Sequence, residues 1–255
     1  MVLTPIAQKG GVGKTAFAIS LSAFLAHNNK KVLLIDIDAQ CDASRCVYPA
    51  YAALREENTI VAMFTDDVQL EPLQTKIIGL DIIPSHIKLS GGDVILSNLM
   101  AREYRLRNAI EGVKNNYDFI IIDPPRSLSW ITINALSITD YCIIPTDSSI
   151  DGLTGIGLVL DTIAKVKKNY NPDLNVAGVV MAISEGTKLT REAGEILAAK
   201  YPTLFFQTRI PRNVKMGESR GQHKDIFSYD PKSASALAME KLFQTELLPK
   251  LNIEL

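Results

Sequence analysis

A chain of 255 residues with 47% hydrophobic content can bury a full core and fits one α/β domain spanning residues 1–255. Its 27 Lys and Arg balance 28 Asp and Glu to a net charge of −1, so overall charge gives no reason to expect binding to a polyanion. Cys41, Cys46 and Cys142 form no CxxC pair and read as cytosolic thiols, and the lack of a charged cleavable leader or of an apolar run near 18 residues argues against secretion and membrane spanning.

Val2 to Ala7 is a short apolar run and Ala16 to Ala26 has helical spacing of apolar residues, which predicts a strand and a helix flanking Gln8-Lys9-Gly10-Gly11-Val12-Gly13-Lys14-Thr15. Gly10, Gly11 and Gly13 let the backbone curl so that N–H groups, including that of Val12, face phosphate oxygens. The start of the following helix adds its positive dipole end. In such a loop Lys14 reaches the β and γ phosphates and the Thr15 hydroxyl ligands Mg²⁺. Gln8 holds the place of the usual first glycine, so the pattern present is KGGVGKT; a plain tight turn is the bland alternative.

Further along, Lys31 to Ile37 is predicted as a strand and Asp38 to Ser44 as a loop. Asp36 and Asp38, two apart, share one side of an extended chain, although an acidic turn would also use them. A helix is expected over Thr59 to Phe64, a strand over Leu80 to Pro84, and a largely helical stretch over Leu89 to Val113 with a break near Gly91-Gly92. Tyr117 to Asp123 is a buried strand that ends in a carboxylate, where ligands bind in open α/β sheets; a helix N-cap is the alternative for Asp123. Strands at Tyr141 to Pro145, Asn175 to Ile183 and Leu204 to Thr208 alternate with helices at Gly152 to Asn169, Leu189 to Tyr201 and Ser233 to Leu248. The pattern predicts an α/β fold, a mostly parallel sheet with helices on both faces, like that of P-loop NTPases.

KGGVGKT resembles the deviant Walker A loop of the ParA/MinD family of ATPases. The resemblance implies that Lys9 crosses a dimer interface to the phosphates held by a partner subunit, so that ATP binding and homodimerisation are linked. IIIDPP resembles the family's Walker B segment and implies Mg²⁺ coordination at Asp123. IDIDAQCDAS resembles switch I, which makes Asp38 the residue that positions the attacking water and puts Asp36 and Asp38 with Thr15 around the Mg²⁺. Ile210 to Val214 and Tyr229 to Ser233 resemble the loop beside the adenine, with Pro211, Arg212 and Asn213, and the start of the last helix; helix-capping proline turns are the alternative. The chain departs from the family at Ala16, Ala39, Cys41, Asp42, Arg126 and Ser129. Ala16 stands beside the α-phosphate, where many members use a threonine.

Between Leu160 and Lys224, eleven Lys and Arg face six Asp and Glu, a local excess of five positive charges. ParA relatives bind DNA without sequence preference through basic residues in this region, which nominates Lys188, Arg191, Lys215, Arg220 and Lys224 for double-stranded DNA; a solvated basic face is the alternative. The resemblance therefore implies a cytoplasmic, nucleoid-associated ATPase, slow until stimulated by a ParB-like partner, that segregates or positions DNA. Positioning of a protein cargo, or a nucleotide-binding adaptor with little hydrolysis, are the alternatives. A MinD-like membrane anchor is not expected, because Glu240 to Leu255 carries Glu246, Pro249 and Glu254 and lacks a basic amphipathic pattern.

Overall fold

Strands β2 (Val32–Asp36) and β5 (Phe119–Asp123) are buried at every residue, as expected of central strands covered on both faces. They belong to a seven-stranded sheet in the computed structural model, which describes residues 1–65, 68–69 and 71–255. With β1 (Val2–Pro5), β3 (Leu73–Gln74), β4 (Leu80–Ile83), β6 (Tyr141–Asp147) and β7 (Asn175–Ile183), the order is β3-β4-β2-β5-β1-β6-β7. All neighbours pair in parallel except β3, a short antiparallel edge on β4. β1 stops at Pro5, short of the predicted Ala7, although the Ile6 N–H still donates to the Ile143 carbonyl oxygen at 2.8 Å.

Successive strand residues point to opposite faces, and the core divides accordingly. Leu34 and Ile121 pack with Phe17, Leu21 and Phe24 of helix α1 (Lys14–His27) and with Phe243 near the C-terminus. Leu33, Ile35, Ile120 and Ile122 pack on the other face under α3 (Ile60–Thr65), α5 (Arg105–Ile110) and α6 (Trp130–Ile138). Ile144, Val179 and Met181 continue that cover with α7 (Ile150–Asn169) and α8 (Lys188–Lys200). Side-chain caps fix both of these last helices: Ser149 accepts from the Gly152 N–H at 3.0 Å, and Thr187 from that of Thr190 at 3.2 Å.

Four predictions of local structure are corrected. The loop predicted over Asp38 to Ser44 already contains the start of α2 (Asp42–Val47), entered through Cys41 at φ 57°. The helical stretch over Leu89 to Val113 is broken into a 3₁₀ turn, α4 (Gly92–Ser97), a turn at Ala101 with φ 51°, and α5. Leu204 to Thr208 is not a strand but touches β7 through a single bridge, Val179 to Phe205. Its ladder fails because the N–H groups of Gln207 and Thr208 donate to the Glu246 carboxylate, at 2.6 and 2.8 Å. The predicted last helix begins at the Ser233 cap as α11 (Ala234–Leu242), but a π turn at Phe243–Leu247 interrupts it before the final turn Leu248–Lys250.

Candidate nucleotide site

Gly11 and Gly13 adopt φ of 79° and 88°, a region that side chains disfavour, and this is how the chain turns from β1 into α1. No acidic residue sits in the first turn of α1, so its positive end is left bare towards the loop. Above the loop lies a cleft of about 300 Å³, bounded by Gly10, Lys14 and Thr15 on one side and Ile210, Pro211 and Asn213 on the other. It opens at the carboxyl ends of β1, β2 and β5, the place where such sheets bind ligands.

Lys14 is 8% exposed, and burial lowers its pKa against the opposing pull of Asp123 and Asp38. Asp123 is 1% exposed, and neither of its carboxylate oxygens has a hydrogen bond of normal geometry, although the Thr15 hydroxyl lies close enough to favour the ionised form. Burial pushes the Asp123 pKa well up, and Asp36, its register partner on β2, pushes it further. A buried carboxylate without a partner is costly. Asp123 with the Thr15 hydroxyl is therefore a donor set that fits a hard dication with oxygen ligands, the remainder coming from phosphates and water. Among the described residues no three His, Cys, Asp or Glu side chains converge to hold a metal without such help.

Asp36 is placed differently from Asp123. Its Oδ2 accepts from the Ser44 hydroxyl at 2.6 Å and the Ser44 N–H at 2.9 Å, while Oδ1 accepts from the Asp38 N–H at 3.0 Å. Both oxygens are thus engaged in holding the start of α2 and the turn that carries Asp38. Burial raises the Asp36 pKa to about 7, against the lowering effect of those bonds. Asp38, half-buried, faces the cleft, with Oδ1 accepting from the Gln40 N–H at 2.9 Å.

Lys9 points away from the cleft. Its Nζ donates to Asp147 at the end of β6 and to the Ser149 hydroxyl at 2.7 Å, the same hydroxyl that caps α7. Sequence reading had no signal for this partnership, since Asp147 and Ser149 lie about 140 residues away. At the other end of the cleft, Pro211, Arg212 and Asn213 all stand on the wall with Met216 and Met239, and the Arg212 guanidinium pairs with Glu185 at 3.2 Å.

The basic candidates divide between elements. Lys188 and Arg191 lie on α8, with Lys188 paired to Glu192 at 3.5 Å. Lys215 and Arg220 lie on α9 (Lys215–Gly221), and Lys224 follows it. Lys215 is paired to Glu218 at 2.8 Å, which offsets its charge. Arg220, nominated for DNA, lines the nucleotide cleft. Sequence reading missed several cleft residues, among them Arg126, which it saw only as a departure, and Met216 of α9 and Met239 of α11, which nothing local distinguishes from core methionines.

Parallel sheet, phosphate loop and strand-end carboxylate define a P-loop ATPase. Residues 2–176 match the family model of an AAA domain. The chain is 38% identical over 232 residues to the sporulation initiation inhibitor protein Soj of Bacillus subtilis, covering 90% of this chain and 91% of Soj. It is 34% identical over 244 residues to the chromosome partitioning protein ParA of Caulobacter vibrioides, covering 94% and 91%. Its fold is similar to that of cobyrinic acid a,c-diamide synthase from Mycobacterium smegmatis with bound ATP analogue and magnesium, at TM-score 0.77 and 26% identity over 96% of each chain. The chain belongs to the ParA/MinD family of ATPases.

Proposed function

We propose that the chain acts as one domain that binds Mg·ATP in this cleft, dimerises on it, and in that state binds double-stranded DNA without sequence preference. A ParB-like partner then stimulates hydrolysis and resets the cycle. The observation that carries the reading is the unpartnered Asp123 carboxylate beside Lys14 and Thr15, a buried charge that a phosphate-bound cation would satisfy. Thr15 and Asp123 would hold Mg²⁺, which when bound supplies charge neutralisation at the β and γ phosphates. Asp36 supports that shell indirectly, by fixing the turn through Ser44. Lys14 and the backbone of Gly10, Gly11, Val12, Gly13 and Ala16 bind the phosphates. Asp38 orients the water whose oxygen bonds to the γ-phosphorus as the bond to the bridging oxygen breaks.

DNA binding would fall to Lys188, Arg191, Lys215 and Lys224, with Arg220 shared between DNA and the cleft. Each chain carries too little local charge to hold DNA alone, whereas two copies joined by nucleotide double the phosphate contacts. The active dimer would thus associate with the nucleoid in the cytoplasm. Size-exclusion chromatography without nucleotide, with ADP and with ATP, followed by DNA anisotropy across a salt series, tests this. An ATP-specific dimer whose DNA affinity falls steeply with salt is the expected result; DNA binding indifferent to nucleotide would overturn it.

A further inference from the structure

Besides Lys14, two cations accompany the phosphate loop, and the fold sends them in opposite directions. Lys9 turns onto Asp147 and Ser149, away from the cleft. Arg126 lies over the loop on the cleft side, in the wall that includes Lys14, Thr15 and Asp38. It is delivered by the strand that delivers Asp123: β5 ends there, and Pro124 and Pro125, each with φ fixed by its ring, form a short stiff arm to Arg126.

The approach is close. A Cβ on Gly10 would stand 2.9 Å from Nη1 of Arg126 and 3.4 Å from its Cζ, so the guanidinium rests against the loop backbone where phosphate oxygens are received. Its charge is felt by Lys14, whose own charge it disfavours. Among the described residues the Arg126 guanidinium has no hydrogen bond or ion pair, and the side chain is exposed. Two cations facing one small space without an anion repel each other, and a group of several negative charges placed between them reverses the sign of that interaction.

We infer that Arg126 is a phosphate-binding arginine supplied in cis, whose guanidinium grips the terminal phosphate of the nucleoside triphosphate and so lets a single chain distinguish triphosphate from diphosphate. The inference rests on the nucleotide reading above. Arginine suits the task because its planar fork matches phosphate oxygens two at a time and stays charged at any working pH. In the diphosphate complex the γ position is empty and the fork loses its main acceptor. During hydrolysis the charge spread over the transferring phosphoryl oxygens is what such a group stabilises. Lys9, once it leaves Asp147, serves the second chain without leaving its own nucleotide short of a cation.

The test uses the purified full chain with Mg²⁺ and fluorescent ATP and ADP analogues, comparing wild type with Arg126→Ala and Arg126→Lys. Arg126→Ala should weaken triphosphate binding about tenfold or more while shifting diphosphate binding by less than about twofold, the scale of one charge-assisted hydrogen bond. Arg126→Lys should recover part of the loss, since it restores charge but not the fork. Circular dichroism should be unchanged, because the side chain is exposed. If wild type binds neither nucleotide, the nucleotide reading fails and the inference with it. If wild type binds both and Arg126→Ala keeps its preference for triphosphate, the inference alone is overturned.

Discussion

Asp123 and Lys9 are the two residues whose surroundings in a single chain are incomplete in opposite senses. Asp123 is buried without a partner, so Asp123→Asn should stabilise the nucleotide-free protein by about 1 kcal/mol or more while abolishing Mg²⁺-dependent nucleotide binding. Urea melts with and without Mg·ATP would show both effects. Because burial raises the Asp123 pKa, its stabilising protonation is present at low pH and lost as pH rises through the folded value, so the gain should grow with pH. Lys9 instead has a partner it must leave to act elsewhere. Burial alone would raise the Asp147 pKa, but hydrogen bonds from Lys9 and Ser149 hold it below the ordinary carboxylate range, so the latch stays intact down to acid pH. Lys9→Ala should lower phosphate release far more than it lowers ATP binding, and Asp147→Asn should let ATP drive dimerisation at lower concentration. Equal phosphate release by wild type and Lys9→Ala would remove the trans role.

At the scale of elements, the turn from β2 into α2 hangs on Ser44. Its hydroxyl donates to Asp36 at 2.6 Å and accepts from the Ser85 N–H at 2.9 Å, tying α2 to the end of β4. Ser44→Ala leaves two buried polar groups short of a partner and should cost about 1–3 kcal/mol in a denaturant melt, with slower hydrolysis because the same turn carries Asp38. On β7, Gly178 admits the Phe206 ring: a Cβ there would stand 2.4 Å from the ring and 2.6 Å from the Leu204 carbonyl oxygen. Strand propensity favours almost any residue over glycine, yet Gly178→Ala should destabilise by about 1–3 kcal/mol, since ring and backbone must both move. A melt showing Gly178→Ala at or above wild-type stability would contradict this packing. The same segment explains the strand that failed to form over Leu204 to Thr208. It lies along β7, but Glu246 from the C-terminal helix takes two of its N–H groups, a partner no local pattern announces.

On the scale of the molecule, the order β3-β4-β2-β5-β1-β6-β7 gathers Thr15, Asp36, Asp38 and Asp123 at one end of the sheet. The three cysteines are buried in its interior, and burial pushes the Cys46 thiol up to about 12, so thiol reagents should label none of them until the protein unfolds. A thiol titration in buffer and in denaturant would check that.

Sequence alone determined the strands that are continuously apolar, the phosphate loop, and the carboxylate that ends β5. Each of these is a local matter: a glycine spacing that permits positive φ, an apolar run that must be buried, an acid where the run stops. Helix α6 escaped because Ile131, Thr132, Asn134, Ala135 and Leu136 are all buried, leaving no polar face to betray a helical period. Only tertiary structure decided which cation lies over the loop. The sequence marked Lys9 as a charge for phosphate and Arg126 only as a departure from the family, but residues about 140 positions on from Lys9 turn it aside, while two prolines lead Arg126 back against Gly10. Electrostatic partners are chosen by distance in space, and that distance is set by how the sheet orders its strands, which no window of the sequence contains.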